Sequence, residues 1–179
     1  MKRTIGLLMF ILVVNILHIQ AQTMIYPSIK DYGGVFDVPF ASVKPDSSIT
    51  YKIVIEMGDK IENKAEVYET LDAAARMHNL LVQGGVPRKK IQMAVVVYAG
   101  STASVLSKEE YHKRFGVDNP NEKLIREMKD AGIDLLVCGQ SMMKQKIDPK
   151  MVDSNVKIAT SRMTAVATYQ MMGFSFFVF

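Results

Sequence analysis

Residues 133–142 read IDLLVCGQSM, and this stretch decides the fold. Residues 133–137, apolar except for Asp134, favour a buried strand. Cys138 follows directly, Gly139 allows the backbone to turn sharply, and a helical segment follows. In open parallel sheets, ligands and catalytic groups gather beyond the carboxyl ends of the strands. The stretch therefore predicts an α/β fold with a thiol at the sheet edge where functional sites form.

Strand-like and helix-like segments alternate on both sides of this stretch. Apolar β-branched runs indicate strands, and apolar residues at three- and four-residue steps indicate helices. This alternation predicts a single α/β domain over residues 51–179, with about five mostly parallel strands and helices on both faces. The predicted strands are residues 51–57, 91–98, 133–137, 156–159 and 174–179, and the predicted helices are residues 64–83, 107–115, 120–131 and 161–172.

Three helix starts are predicted from capping side chains. Ser107 and Ser161 each precede a helical segment and are expected as N-caps. Asn119 is expected as the cap of a third helix, because Pro120 suits the first helical position.

Residues 1–21 differ from the rest of the chain. Lys2 and Arg3 precede an almost wholly apolar run, and Ala21 offers a small residue for cleavage, as in a secretory signal peptide. A membrane anchor is the alternative, but the run is shorter than the roughly 20 residues that cross a bilayer. We expect an exported, periplasmic protein without a stable membrane span. Loss of the two cations would lower its net charge from +4 to +2.

Composition narrows the function classes. The full chain has 49% hydrophobic residues, as an ordinary globular protein does. Without a stripe of Lys and Arg interleaved with aromatic residues, nucleic acid is not an expected partner. Residues 22–50 carry turn signals and no sustained period, which predicts an irregular arm. No metal-ligand spacing or cofactor motif stands out, so we expect neither a metal nor a cofactor.

The single cysteine, Cys138, is the strongest candidate for chemistry. A lone cysteine cannot close an internal disulfide, and free cysteines often pack as small buried hydrophobes. At the start of a helix, however, unpaired N–H groups and the helix dipole favour the nucleophilic thiolate. Both interpretations stay open at this level.

Other residues are secondary candidates. Those predicted to shape a binding site at the strand ends are Tyr98, Gly100, Ser101, Gly139, Gln140 and Ser141. His78 lies on the apolar stripe of a predicted helix, so a core position is favoured over a role as a base. Arg162 could pair with a carboxylate or face an anion, and the sequence does not decide between the two.

Three runs carry a resemblance to a known family: GGVPRKKIQMAVVVYAGST at residues 84–102, FGVDNPNEKLIREMKDAGIDLLVCGQSM at 115–142, and VKIATSRMTAVATYQMMGFSFF at 156–177. These runs resemble the DsrE/DsrF-like family of sulfur-relay proteins. The resemblance spans residues 51–179 and implies a five-stranded parallel sheet, assembly into homotrimers or hexamers, and a sulfur-carrying cysteine at Cys138. Family members often carry histidine where this chain has Tyr98, and a phenol with a pKa near 10 is a poor base.

The sequence therefore supports one leading function and two alternatives. The leading hypothesis is an exported homo-oligomeric sulfur carrier or sulfurtransferase, in which Cys138 takes sulfur from a donor protein or polysulfide and passes it to an acceptor. The alternatives are a non-catalytic binding or assembly module and a thiol-redox protein that forms mixed disulfides.

Overall fold

The computed structural model describes residues 23–179. The signal peptide predicted for residues 1–21 lies outside the described residues, as does residue 22 of the predicted arm. The elements, in chain order, are β1 Tyr51–Met57, α1 Glu69–Gln83, β2 Ile91–Val97, α2 Lys108–Phe115, α3 Glu122–Asp130, β3 Asp134–Cys138, α4 Gly139–Lys144, β4 Lys157–Ala159, α5 Arg162–Met171 and β5 Ser175–Val178.

The five strands form one parallel sheet in the order β4-β3-β2-β1-β5. This confirms the predicted five-stranded α/β domain. We also expected the apolar strand β5 to be central in the sheet or to be covered by helices or another subunit. It lies at the sheet edge, where Phe176, Phe177 and Val178 are all exposed, so cover by another subunit is the alternative that stays a prediction. Within the described residues of one chain, β5 is neither central nor covered.

The two faces of the sheet are packed very differently. On the first face, α1 and α3 contribute fully buried residues such as Leu71 and Leu124 to a large core. The second face carries α5 alone, in a small cluster of buried residues. Alternate strand residues point to opposite faces, so β1 supplies Ile55 to the large core and Val54 to the small one. The small cluster consists of Val54, Ala94, Val96, Leu136 and Val166.

Residues 23–50 contain neither a helix nor a strand, apart from an isolated bridge between Ile25 and Val35. Asn79 on α1 attaches this segment to the domain. Its side-chain oxygen accepts the N–H of Ile29 at 2.9 Å, and its amide nitrogen donates to the carbonyls of Ile29, Tyr32 and Gly33. One buried amide thus replaces the backbone pairing that this segment lacks.

Two predicted helix starts require correction. α3 begins at Glu122 rather than at Pro120, and Asn119 is not its cap. The Asn119 amide donates to the carbonyls of Ser104 and Leu106 at 3.1 and 2.8 Å, and its oxygen accepts the N–H of Asn121 just before the helix. α1 begins at Glu69 rather than at residue 64. At Asn119, tertiary hydrogen bonds thus compete with the local helix signal.

The other two capping predictions are confirmed. The Ser107 hydroxyl accepts the N–H of Glu110 at the start of α2. The Ser161 hydroxyl accepts the N–H of Thr164 at 3.0 Å at the start of α5. Among residues 23–179, none of the helices combines the length and the apolar character needed to cross a bilayer.

Candidate functional site

The carboxyl ends of β1, β2 and β3 lie side by side. In the sheet register Glu56 pairs with Val96, and Val96 with Leu136. Because side chains alternate along a strand, Cys138 points to the same face as Leu136, two residues earlier. Glu56 and Cys138 therefore share the thinly packed face that α5 covers.

Cys138 ends β3 and immediately precedes α4. Its side chain lies against the start of α5, where the peptide N–H of Arg162 donates to Sγ at 3.2 Å. Gly139 is required for this junction, because a Cβ there would lie 2.8 Å from the carbonyl oxygen of Ala159. The residue Cys138 is buried, with 4% of its surface exposed. The thiol thus lies at a strand end, as predicted, but under a cover of protein atoms.

Two opposing effects act on the pKa of the Cys138 thiol. Burial raises the pKa, because a thiolate loses its hydration. Hydrogen bonds lower it, from the Ser141 hydroxyl and from the peptide N–H groups of Arg162, Ser141 and Gln140. The hydrogen bonds outweigh burial, and the pKa lies below its ordinary value. Cys138 is therefore buried, and yet its hydrogen bonds favour the thiolate over the thiol.

Ser141 connects the thiol to the loop that follows β2. Its Oγ accepts the N–H of Ala99 at 3.0 Å. Ala99 has a φ of 46°, in the left-handed region that is costly for a residue with a Cβ. Gln145 supports the same loop, since its amide donates to the Ala99 carbonyl at 2.8 Å. Hydrogen bonds from α4 and the residue after it therefore hold this strained backbone beside the site.

Arg162 resolves the question that the sequence left open, because it pairs with a carboxylate. Its Nη1 lies 3.0 and 2.9 Å from the two carboxylate oxygens of Glu56. Its guanidinium also lies 4.5 Å from the centre of the Tyr98 ring, a cation–π contact. Tyr98, which was predicted as a site residue, therefore reaches the thiol's surroundings through Arg162.

Gly100 and Ser101 pack against the end of β1. The buried Ser101 hydroxyl lies 2.7 Å from the carbonyls of Met57 and Tyr98. Gly100 lies so close to the Lys60 backbone that a Cβ would meet it at 2.8 Å. A binding role for these two residues stays a prediction. Gln140 and Ser141, by contrast, supply hydrogen bonds that lower the pKa of the Cys138 thiol.

His78 is a core residue, as expected, with 1% of its surface exposed. It is not satisfied by hydrogen bonds, however, because neither ring nitrogen has a partner among the described residues. Burial, together with the charge of Arg88, lowers its pKa to about 4. His78 is therefore a neutral buried imidazole on the opposite face of the sheet from Cys138.

The sequence interpretation missed Glu56. Its signal was present, because residues 51–57 read YKIVIEM and place one acid near the carboxyl end of an otherwise buried strand. A buried carboxylate needs a partner. Arg162 is 106 residues away in the chain, so no local pattern joins the two residues.

Comparisons with known proteins agree with this architecture. The family model "DsrE/DsrF-like family" matches residues 52–179. A solved structure of a protein of unknown function, MTH1491 from Methanobacterium thermoautotrophicum, has 13% identity and a TM-score of 0.54, covering 72% of this chain and 98% of its own. The ychN protein from E. coli has 13% identity and a TM-score of 0.53, covering 72% of this chain and 99% of its own.

At such low identity, these two structures show the fold alone. Comparison with curated proteins gives no significant match. The family model, however, covers well over half of the chain and includes both the five-stranded sheet and Cys138. The chain belongs to the DsrE/DsrF-like family.

Proposed function

We propose that this protein is an exported sulfur carrier that uses Cys138 to accept a sulfane sulfur and to pass it to a partner thiol. The observation that carries the proposal is the hydrogen bond from the Arg162 N–H to Cys138 Sγ at a strand end. Together with the Ser141 and Gln140 donors, it lowers the pKa of the thiol despite burial. The thiolate, which these donors favour, is the form that attacks sulfur.

The proposed transfer needs no external oxidant. The Cys138 thiolate attacks the outer sulfur of a persulfide donor, R–S–SH, and a new S–S bond forms as the donor's S–S bond breaks. The electron pair leaves with the donor as R–S⁻, and Cys138 carries –S–SH. An acceptor thiolate then attacks the outer sulfur and regenerates the Cys138 thiolate. The same peptide N–H groups would stabilise the anion at the start and at the end of the cycle.

Burial of Cys138 favours a second candidate, a non-catalytic module of the same fold. A thiol with 4% exposure cannot meet a donor until atoms that cover it move aside. A structural thiol, however, gains little from several N–H donors aimed at its sulfur. The thiol-redox alternative uses the same thiolate and differs in its product, a mixed disulfide.

Mass spectrometry separates the three functions. Residues 22–179 are incubated with polysulfide, desalted and weighed intact, with C138S as the matched control. A sulfur carrier gains about 32 Da for each sulfur and loses it to an added acceptor thiol. A redox protein forms a mixed disulfide with a small-molecule disulfide but retains no added sulfur. The absence of any adduct on folded protein would favour the non-catalytic module.

Export is a further part of the proposal. It is supported by the order of charge, apolar run and Ala21 in residues 1–21. Protein purified from its native host should then lack residues 1–21 in its intact mass. Retention of Met1 on a membrane-bound form would favour an anchor instead.

We further propose that the protein is a homo-oligomer. The support is the exposed edge strand β5, whose four residues carry neither a charge nor a proline. Such an edge invites association unless it is covered. Sedimentation at micromolar concentration should therefore give a trimer or a larger species, and Phe177→Asp should dissociate it without loss of helicity. Apolar surface of residues 24–50 is the other candidate interface, and Phe40→Asp, at an exposed site there, tests it. A monomeric wild-type protein would contradict the proposal.

A further inference from the structure

Helix α5 is held on the sheet by few apolar contacts. Val166 is its only buried residue, while Ala165 and Tyr169 are partly buried. Polar contacts hold both halves of the helix instead. The Tyr169 hydroxyl donates to Asp134 Oδ2 at 3.3 Å, and Arg162 pairs with Glu56. A helix attached in this way depends on these contacts for its placement.

The contact at the N-terminal end leads directly to the thiol. Arg162 is the first residue of α5, and its backbone N–H donates to Cys138 Sγ on β3. Its side chain extends across the end of β2, beside the Tyr98 ring, to Glu56 on β1. One residue therefore joins a buried carboxylate on one strand to the sulfur on another.

The charges indicate that Arg162 holds the start of α5 through its ion pair with Glu56, which we call the tether, rather than binding an anion. Glu56 is the more buried partner, with 9% of its side chain exposed, against 33% for Arg162. A carboxylate in such a place must stay paired, so it keeps the guanidinium engaged. The arginine charge is therefore largely neutralised, and what the pair supplies is a fixed position for the first turn of α5.

We propose that Glu56 is a positioning residue for Cys138, which acts by holding Arg162 so that the first turn of α5 keeps its N–H donor against the sulfur. The importance of this tether for sulfur transfer rests on the proposed function, whereas its effect on the thiol does not. The titratable side chains at this site are Glu56 from β1, Tyr98 after β2 and Arg162 from α5.

The sign of one measurement distinguishes positioning from simple charge neutralisation. If Glu56 positions the N–H donor, loosening the pair weakens the hydrogen bond to the thiolate and raises the thiol pKa. If Glu56 acts only by neutralising Arg162, removing its charge frees a cation beside the thiolate and lowers the thiol pKa. The two effects have opposite signs.

The test is the ultraviolet absorbance of the thiolate against pH, with the C138S spectrum subtracted to remove tyrosine. This readout needs no reagent to reach the buried sulfur. Glu56→Gln should raise the apparent pKa by about one unit, which makes the thiolate roughly tenfold scarcer below the pKa. Glu110→Gln is the matched control, because Glu110 pairs with Arg114 on α2, away from the thiol. It should leave the curve unchanged.

Glu56→Asp serves where Glu56→Gln fails to fold. This substitution keeps the negative charge and shortens the side chain. If Glu56 positions α5, the thiol pKa should again rise. If Glu56 only neutralises Arg162, the thiol pKa should not change. In an Arg162→Ala background, Glu56→Gln should cause no further rise of the pKa, because the contact that positions α5 is already gone. A lower or unchanged pKa in the single variants, or equal shifts in both backgrounds, would overturn the proposal.

Tyr169→Phe tests whether loosening α5 at any point has the same effect. It releases the contact with Asp134 in the C-terminal half of the helix and should leave the thiol pKa unchanged. An equal rise would overturn the specific role of Glu56. Sulfur uptake is followed separately by mass. If the Glu56 variants shift the thiol pKa but the wild-type protein takes up no sulfur, the carrier function would be wrong and the positioning role of Glu56 would be retained.

Discussion

The two faces of the sheet differ in the size of their apolar cores and in the polar groups that they carry. The first face packs α1 and α3 over a broad core that includes fully buried Leu71 and Leu124. The second face carries only α5 over a small cluster, yet it also holds Cys138, Glu56 and Arg162. Stability is concentrated on one face and polar chemistry on the other. The thiol site therefore lies outside the large core that maintains the fold.

The largest expected difference between the two faces is the loss of stability when a buried side chain is truncated. Leu124→Ala in the large core should lower the free energy of unfolding by about 3–5 kcal/mol, because the cavity is surrounded by packed atoms. Val166→Ala in the small cluster should cost about 1–2 kcal/mol, since α5 has fewer neighbours to lose. Urea unfolding measures both variants. Equal losses would contradict the contrast between the two faces.

The large face also contains a group that makes stability depend on pH. The pKa of His78 is about 4 in the folded protein, below its ordinary 6.5. The unfolded chain therefore binds more protons between these values, and stability is full above pH 6.5 and falls as the pH drops toward 4. The loss amounts to about 3 kcal/mol. His78→Leu should flatten this part of the stability curve measured by urea unfolding.

His112 provides the matched control for this prediction. It is exposed on α2 and lies 3.0 Å from Asp118. Because it is not buried, His112→Gln should leave the acid limb of the stability curve nearly unchanged. A curve for His78→Leu as steep as that of the wild-type protein would mean that another group causes the acid sensitivity.

Much of the fold is visible in the sequence because its signals are local. Strand β1 has the predicted bounds, and Ser107 and Ser161 cap helices as expected. The prediction for Asn119 failed because its amide bonds to carbonyls of a separate loop, a contact that no local pattern encodes. Local chemistry thus predicts elements well and predicts tertiary hydrogen bonds poorly.

The site divides in the same way. Cys138, Gly139 and Ser141 lie within four consecutive residues, so the end of one strand brings them together. Glu56 and Arg162 are 106 residues apart in the chain and meet only because α5 packs over the sheet beside the end of β1. The burial of the thiol also depends on α5. The sequence alone could not decide between a reactive and a covered cysteine.

The smallest expected effect concerns a single hydroxyl beside the thiol, that of Ser141 in α4. Its removal should alter the thiol pKa without altering the fold. Ser141 donates to Cys138 Sγ and accepts the Ala99 N–H. Ser141→Ala removes one donor to the thiolate but leaves the peptide N–H groups, so the thiol pKa should rise by about one unit or less.

Ser104→Ala is the control, because the Ser104 hydroxyl donates to the Ser101 carbonyl and has no contact with the thiol. Thiolate absorbance against pH measures the shift, and urea unfolding measures the cost in stability. An unchanged pKa in Ser141→Ala would remove the hydroxyl from the set of thiolate donors. A stability loss as large as that of Leu124→Ala would show instead that Ser141 supports the strained backbone at Ala99. The thiol site would then contribute to the stability of the fold as much as the large core does.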